Sequence, residues 1–214
     1  MISKENQDFI TRCVEENITS CLEEVDFDPT VKEPGHTYGE AVEEVLANKL
    51  IEISSDFSLP TKTKNSGRQT RKMEDIRFME DLINIKLGYE KGKGQPNMVS
   101  FNRLSKNFCN GTIDSYWILV IDVTGKTKEE LKTKVYFFNL YDHLDYIHYD
   151  YGTGQTMLKE RQFFDAYDVN ENYSSTKRDI VLKLKEIDEE AFQSHIKLKQ
   201  KQHEQKQELF SSYI

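Results

Sequence analysis

Hydrophobic residues recur at helical spacing in the first quarter of the chain. Over residues 3–25 the apolar positions fall three or four apart, which predicts a helix capped by Ser3. Residues 26–35 contain two prolines and a glycine and indicate a loop. A second apolar stripe predicts a helix over residues 38–53. The chain is therefore expected to begin with two amphipathic helices.

After a polar segment at residues 54–69, the apolar runs become shorter and typical of strands. Residues 73–78 and 81–87 predict a hairpin that turns at Met79-Glu80. We predict further strands at 115–123, 134–139, 156–158 and 179–184, an aromatic strand within 143–151, and helices at 98–108 and 187–210. This order predicts an α/β fold with a mixed central β-sheet flanked by helices.

Charge is distributed unevenly along the chain, whose net charge is −8. Residues 1–60 contain 4 basic and 14 acidic side chains, whereas residues 62–106 contain 11 basic and 5 acidic ones. Phosphate groups are neutralised by basic side chains within about one Debye length, roughly 8–10 Å, so a local excess matters more than the total. The middle segment favours DNA binding, although uneven charge alone is common in proteins.

The chain has three cysteines, Cys13, Cys21 and Cys109, with no CxxC spacing. An odd number at these separations predicts reduced thiols rather than a disulfide framework or a zinc site. No apolar run reaches the roughly 18 residues that a membrane-spanning helix needs. The first residues also lack the pattern of a signal peptide. We therefore expect a cytoplasmic protein with no membrane partner.

Candidate chemistry lies in the predicted hairpin. Asp75 stands on its first strand, and Asn84 and Lys86 stand on its second strand, where residues two apart project from one face. Hydrolysis of a phosphodiester needs oxygen ligands for a divalent metal and a cation that stabilises the phosphate charge. The carbonyl of Ile85 adds a further oxygen beside Asp75. The hairpin therefore predicts a site for phosphodiester hydrolysis. The alternative is that Asp75 and Lys86 are ordinary surface residues without a function.

The spacing of these residues resembles a known nuclease signature. Eight residues separate Asp75 from the triplet Asn84-Ile85-Lys86. This arrangement is similar to the PD-(D/E)XK signature, in which an aspartate is followed by a hairpin and then by an acidic residue, any residue and a lysine. Residues 35–40 (Gly-His-Thr-Tyr-Gly-Glu) and 95–100 (Gln-Pro-Asn-Met-Val-Ser) are similar to flanking segments in the HincII/EcoRV branch of the type II restriction endonucleases. The resemblance covers about residues 33–108.

The resemblance implies a single restriction endonuclease-like domain over residues 1–214. Its PD-(D/E)XK core would occupy about residues 36–140, with a C-terminal helical extension at about 187–214. It also implies Mg²⁺-dependent, sequence-specific hydrolysis of double-stranded DNA at a short palindromic site, with Mn²⁺ able to substitute. A two-fold symmetric site implies a homodimer.

The same resemblance implies roles for the individual residues. Asp75, Asn84 and the Ile85 carbonyl would bind the metal, and Lys86 would stabilise charge on the phosphate. Glu40 would tune metal occupancy from the second helix.

One position departs from the family pattern, because Asn84 stands where an acid is usual. An amide oxygen can ligate Mg²⁺ but contributes no charge. Glu40, Glu43 or Glu44 could restore that charge if the second helix packs beside the hairpin, and Glu40 matches the family pattern best. The asparagine at position 84 is compatible with three explanations: a natural variant of the site, an engineered inactive form, or a naturally inactive nuclease.

Polar residues after the predicted catalytic strand suit contacts with DNA. Lysines in a glycine-rich loop can reach phosphate groups, and amide side chains suit base edges. The predicted DNA-binding residues are Lys91, Lys93, Gln95, Asn97, Ser100, Asn102, Arg103 and Gln155. Both of the loops involved are also consistent with ordinary solvated turns.

Two other functions stay open at the level of sequence. A DNA-binding protein with a catalytically disabled nuclease core would explain Asn84. A repair or structure-specific nuclease could use the same hairpin, although the segment 95–100 favours sequence reading.

Overall fold

The computed structural model describes residues 2–60, 74–90, 97–167, 175–211 and 213. Its helices are α1 (Lys4–Glu24), α2 (Pro34–Ile53), α3 (Phe101–Cys109), α4 (Glu160–Ala166) and α5 (Lys177–Ser211). Its strands are β1 (Phe57–Ser58), β2 (Ile76–Phe78), β3 (Asp81–Tyr89), β4 (Asn97–Ser100), β5 (Trp117–Thr124), β6 (Lys132–Asn139), β7 (Ile147–Asp150) and β8 (Gln155–Leu158). Short 3-10 turns lie at Lys128–Glu130 and Leu140–Tyr146.

Five of these strands form the central sheet, in the order β1-β2-β3-β5-β6. The neighbours β2 and β3 are antiparallel, β3 and β5 are parallel with Ile85 opposite Leu119, and β5 and β6 are antiparallel. The sheet is therefore mixed, and helices pack against both of its faces. The predicted class, an α/β fold with a mixed central sheet flanked by helices, is confirmed.

Strand β3 separates two hydrophobic cores. Ile83 and Ile85 belong to a core with α1 and α2, whereas Leu82 belongs to a core with α3 and α5. Successive side chains of a strand point to opposite faces. Asn84 and Lys86 therefore point to the same face as Leu82, as the sequence predicted for this pair.

Helix α2 begins at Pro34, earlier than the predicted start at Tyr38. Proline suits the first turn of a helix, where its missing N–H has no helical partner to lose. A Cβ atom on Gly35 would lie 3.3 Å from the carbonyl oxygen of Leu87. The glycine thus allows the first turn of α2 to approach the backbone of β3.

A second, antiparallel sheet has the strand order β4-β8-β7. The sequence predicted one helix over residues 98–108, and the first part of that prediction is wrong, because those residues form β4 before α3 begins at Phe101. Val99 pairs with Thr156 of β8, and both Met98 and Val99 are buried. Pairing with a strand far away in the chain overrides the helical spacing of this segment.

The predicted strand at residues 179–184 is also wrong, because this segment lies inside α5. The Thr176 hydroxyl accepts a hydrogen bond from the Asp179 N–H at 3.2 Å, and Asp179 Oδ2 accepts one from the Thr176 N–H at 3.1 Å. This reciprocal pair is a capping box that starts a helix. The Thr-x-x-Asp spacing was readable in the sequence, and the prediction missed it.

Most other predicted elements are confirmed with small changes of boundary. Ser3 caps α1 by accepting a hydrogen bond from the Asn6 N–H at 3.3 Å. The hairpin turns at Met79, whose φ is 52°. In the aromatic segment 143–151, only β7 is extended, and it follows a 3-10 turn. None of the described helices has both the length and the apolar character needed to cross a bilayer.

Two glycines should respond to alanine in opposite directions. Gly125 has a φ of 128°, and a Cβ atom there would lie 2.6 Å from the carbonyl oxygen of Glu130. We expect Gly125→Ala to lower the free energy of unfolding by roughly 2 kcal/mol or more. Gly39 lies within α2, and an added Cβ would meet nothing within 4 Å. Gly39→Ala should raise the same quantity by about 0.5–1 kcal/mol. Urea unfolding measures both, and shifts of equal sign would contradict the described backbone.

Candidate functional site

Two carboxylates occupy the edge of β3 beyond its pairing with β2. In the described part of the chain this pairing extends to Ile83, whose carbonyl accepts a hydrogen bond from the Asp75 N–H at 3.0 Å. Further along the same edge, Asp75 Oδ2 accepts a hydrogen bond from the Ile85 N–H at 2.8 Å. The Glu43 carboxylate accepts one from the backbone of Leu87. Side chains from two other segments thus satisfy the backbone where another strand would pair.

Lys86 lies between these two carboxylates. Its Nζ is 3.3 Å and 3.4 Å from the two Glu43 carboxylate oxygens and 3.7 Å from Asp75 Oδ2. The Lys86 side chain is 15% exposed, and those of Glu43 and Asp75 are 19% and 32% exposed. One ammonium group is therefore held, largely out of water, by an acid from α2 and an acid from the segment before β2.

Burial raises the pKa of Glu43 from 4.5 to about 7. Loss of hydration disfavours the charged carboxylate, and this effect outweighs the attraction of the Lys86 ammonium. The charge of Asp75 raises the pKa further, while the hydrogen bonds from Lys86 and Leu87 lower it. At neutral pH the Glu43 carboxyl can therefore both accept and release a proton.

Asn84 lies on the same face of β3 as Lys86 but is only 5% exposed. Its side chain hydrogen-bonds with the hydroxyl of Tyr116, a residue of the core beneath α3 and α5. Burial, followed by the negative charges of Asp75 and Glu74, raises the pKa of Tyr116, and the hydrogen bond from Asn84 lowers it. Asn84 thus provides a polar partner for a buried phenol close to Asp75.

Of the three candidate glutamates on α2, the structure brings Glu43 to Lys86. Glu40 and Glu44 are exposed. The sequence prediction chose Glu40 by its match to the family pattern. The helical spacing held a better signal, because Glu43 lies four and seven residues before the buried Ala47 and Leu50. A glutamate on the buried stripe of an amphipathic helix requires a polar partner.

Several oxygen atoms at this edge are of a type that can bind a divalent cation such as Mg²⁺. The N–H and C=O groups of a strand residue point to the same side, so the Ile85 carbonyl faces the edge to which its N–H points. With the carboxylates of Asp75 and Glu43, it makes a set of hard oxygen donors of the kind that Mg²⁺ prefers. Among the described residues no group of three or more His, Cys, Asp or Glu side chains could hold a metal ion. Within the described residues, Asp75 and Glu43 are therefore the two carboxylates that this edge offers to a cation.

The second sheet brings two of the predicted DNA-binding segments together. Ser100, at the end of β4, is the pairing partner of Gln155, at the start of β8. The Phe101 N–H donates a hydrogen bond to the Gly154 carbonyl at 3.1 Å. Residues that lie far apart in the sequence thus meet at one corner of this sheet.

The other predicted DNA-binding residues fall into two groups. Asn97 belongs to β4, the exposed Asn102 follows at the start of α3, and Arg103 beside it is half-buried. Lys91, Lys93 and Gln95 lie outside the described residues. The corner of the second sheet thus brings Ser100 and Gln155 together at the start of the helix that carries Asn102 and Arg103, while Asn97 lies at the other end of β4.

Comparisons with known proteins add one finding. No protein-family model and no curated protein matches the chain. Among solved structures, a restriction endonuclease in complex with substrate DNA is similar over 82% of this chain and 94% of the other, with 14% identical residues and a TM-score of 0.44. A similarity with a TM-score below 0.5 is too weak to assign a function to this chain.

The raised pKa of Glu43 makes stability depend on pH. The carboxyl loses its proton near pH 4.5 in the unfolded chain and near pH 7 in the folded chain. Its stabilising contribution is therefore complete below pH 4.5 and is lost as the pH rises through about 7. This pKa difference corresponds to about 3 kcal/mol.

We expect Glu43→Gln to abolish this pH dependence. The unfolding free energy of the variant minus that of the wild type should rise by about 3 kcal/mol between pH 4 and pH 8, measured by urea unfolding in the presence of a chelator. Glu44→Gln, at an exposed position of the same helix, is the control and should leave the difference flat. A flat difference for Glu43→Gln as well would contradict the raised pKa.

Proposed function

We propose that the chain is a Mg²⁺-dependent endonuclease that hydrolyses phosphodiester bonds of double-stranded DNA. The observation that carries this proposal is the cluster of Asp75, Glu43 and Lys86 at the edge of β3. Burying an ammonium group and two carboxylates costs solvation energy that an apolar edge would not. Such clusters, with one pKa shifted to neutrality, occur preferentially at functional sites.

Each residue of the cluster has a role that its chemistry supports. Asp75, Glu43 and the Ile85 carbonyl would hold Mg²⁺, which when bound would polarise the scissile phosphate. The Lys86 ammonium donates a hydrogen bond to a phosphate oxygen and stabilises the negative charge that grows there. As a ligand of the cation Glu43 would be ionised, because a bound Mg²⁺ favours the charged carboxylate, and it would help to hold the cation beside the attacking water.

The corner of the second sheet is the proposed DNA-binding surface. Ser100 and Gln155 lie side by side there, and Asn102 is exposed just beyond. Their amide and hydroxyl groups suit base edges, and Arg103 suits a phosphate. We include Lys91, Lys93, Gln95 and Asn97 in the proposal on the basis of their sequence.

The finer proposal is a type II restriction endonuclease of the PD-(D/E)XK superfamily, in the HincII/EcoRV branch. It would cut at a short palindromic site as a homodimer in the cytoplasm. This proposal rests on the sequence resemblance over residues 33–108, and Asn84 remains its departure from the family pattern. A repair or structure-specific nuclease would use the same edge of β3, and it would give fragments with no common end sequence.

A second candidate function is DNA binding without cleavage. The observation that favours it is the environment of Asn84, whose neutral side chain is buried against Tyr116. Because Asn84 carries no charge, Asp75 and Glu43 are the only carboxylates at this edge, within the described residues, that could hold the cation. A weakly held cation would leave a protein that binds DNA but does not cut it.

Plasmid cleavage tests the proposal directly. Purified protein with Mg²⁺ should cut plasmid DNA into discrete fragments, and sequencing of the ends identifies any recognition site. Lys86→Ala should slow cleavage at least about 10²-fold, because the phosphate charge loses its cation. DNA affinity in a gel-shift assay should stay within about tenfold of the wild type. Undiminished cleavage by Lys86→Ala would remove this edge from consideration as the active site.

Two glutamates on α2 separate the structural assignment from the sequence prediction. Glu43→Gln should slow cleavage at least about 10²-fold, because it removes one of the two carboxylates that would hold the cation. Glu40→Gln, at an exposed position one turn away, is the matched control and should cleave at a rate near that of the wild type. The reverse order of the two rates would restore the role that the sequence assigned to Glu40.

Asn84→Asp distinguishes the two candidate functions. If the wild type shifts DNA without nicking it in Mg²⁺ or Mn²⁺ and Asn84→Asp then cuts, DNA binding by a disabled core is the correct function. If the wild type itself cuts, the second candidate fails.

A further inference from the structure

The last four turns of α5 extend beyond the protein core. The helix has 35 residues, and its buried residues, Ile180, Leu184 and Ile187, lie in its first third. Every residue from 197 to 211 is exposed. At 1.5 Å per residue this segment, here called the arm, is roughly 22 Å long.

The face that docks α5 on the core continues along the arm. Its members are three or four residues apart, so they lie within one stripe of the helix surface. In order, this stripe consists of Ile180, Leu184, Ile187, Ala191, His195, Leu198, Gln202, Gln205 and Leu209. In the arm its two leucines are 50% and 53% exposed. The stripe is thus covered at the start of α5 and open at its end.

Within the arm the stripe reads the same in both directions. Leucine, glutamine, glutamine and leucine follow one another at steps of four, three and four residues. Two antiparallel arms, related by a two-fold axis between residues 203 and 204, would place Leu198 against Leu209 of the partner subunit. Gln202 would likewise face Gln205 of the partner subunit. A two-fold interface must be self-complementary in this way, and alternating steps of three and four are those of paired helices.

The charges beside the stripe are complementary on one flank in the same orientation. One flank carries Lys197, Lys201, Glu204 and Glu208 in that order. In the antiparallel pair, Lys201 lies nearest Glu208 of the partner subunit, and the symmetry repeats this contact, while Lys197 and Glu204 lie further from the interface on the same flank. The opposite flank carries Lys199 and Lys206, and in the same orientation each faces the other residue of the partner subunit, so this flank opposes the pairing.

We propose that the arms of two copies of this chain pair as antiparallel helices and make the protein a homodimer. Two leucine contacts, two glutamine contacts and two ion pairs would hold the interface. One helix per copy buries less than the roughly 1,200–2,000 Å² of stable complexes, so the dimer is expected to dissociate on dilution. The proposal concerns assembly, and it stands whether or not the edge of β3 is a nuclease site.

Charge reversal on the full-length chain tests both the partner and the orientation. An acidic arm carries Lys197→Glu and Lys201→Glu, and a basic arm carries Glu204→Lys and Glu208→Lys. Each variant alone should sediment as a monomer at concentrations where the wild type is a dimer, because like charges then face each other on this flank. An equimolar mixture of the two variants should regain the dimer mass. Lys199→Glu is the companion control, since it places opposite charges across the other flank and should lower the dissociation constant.

Three outcomes would overturn the proposal. They are a wild type that stays monomeric up to high micromolar concentration, a dimer that both charge-reversed variants retain, and a mixture of the two variants that stays monomeric. The substituted positions are exposed, so circular dichroism should give the two variants the helix content of the wild type under monomeric conditions. Equal dimerisation of all variants would assign the interface to another surface.

Discussion

The ion pair of Lys86 with Glu43 and Asp75 joins three parts of the fold, and the local arrangement depends on it. Lys86 comes from the middle of β3, Glu43 from α2, and Asp75 from the segment that leads into β2. Each carboxylate also accepts a hydrogen bond from a backbone N–H group at the edge of β3. Removing Lys86 would leave two largely buried acids without a cation, which is far more destabilising than removing an exposed ion pair. The same contact is therefore both a structural element and the centre of the candidate site.

The division of the core by β3 explains why the charged cluster can form there. The isoleucines of β3 pack under α1 and α2, while its even-numbered residues face the other core. Lys86 belongs to that second face, yet its long side chain reaches the edge where the α2 carboxylate lies. The short side chain of Asn84 cannot extend so far, and it bonds to Tyr116 instead. Side-chain length thus divides two residues of one strand face between the site and the core.

Sequence reasoning was most successful where the evidence was local. The hairpin, the buried strands and the shared face of Asn84 and Lys86 follow from apolar runs, period-two alternation and turn residues. It failed at β4, because pairing with β8 depends on a segment far away in the chain. Its choice of Glu40 rested on family likeness rather than on the buried stripe of α2, and the role of Glu40 stays a prediction. It also placed a strand at the start of α5, where the reciprocal Thr176–Asp179 cap should have indicated a helix.

The carboxylates that cap Ile85 and Leu87 have a consequence for solubility. An exposed strand edge offers a row of N–H and C=O groups to which a strand of another molecule can add. Here two carboxyl side chains already accept hydrogen bonds from the N–H groups of that edge, and an ammonium group lies between them. An incoming strand would have to displace both acids and leave Lys86 without its partners. The three residues of the candidate site therefore also disfavour the addition of a strand from another molecule to this edge.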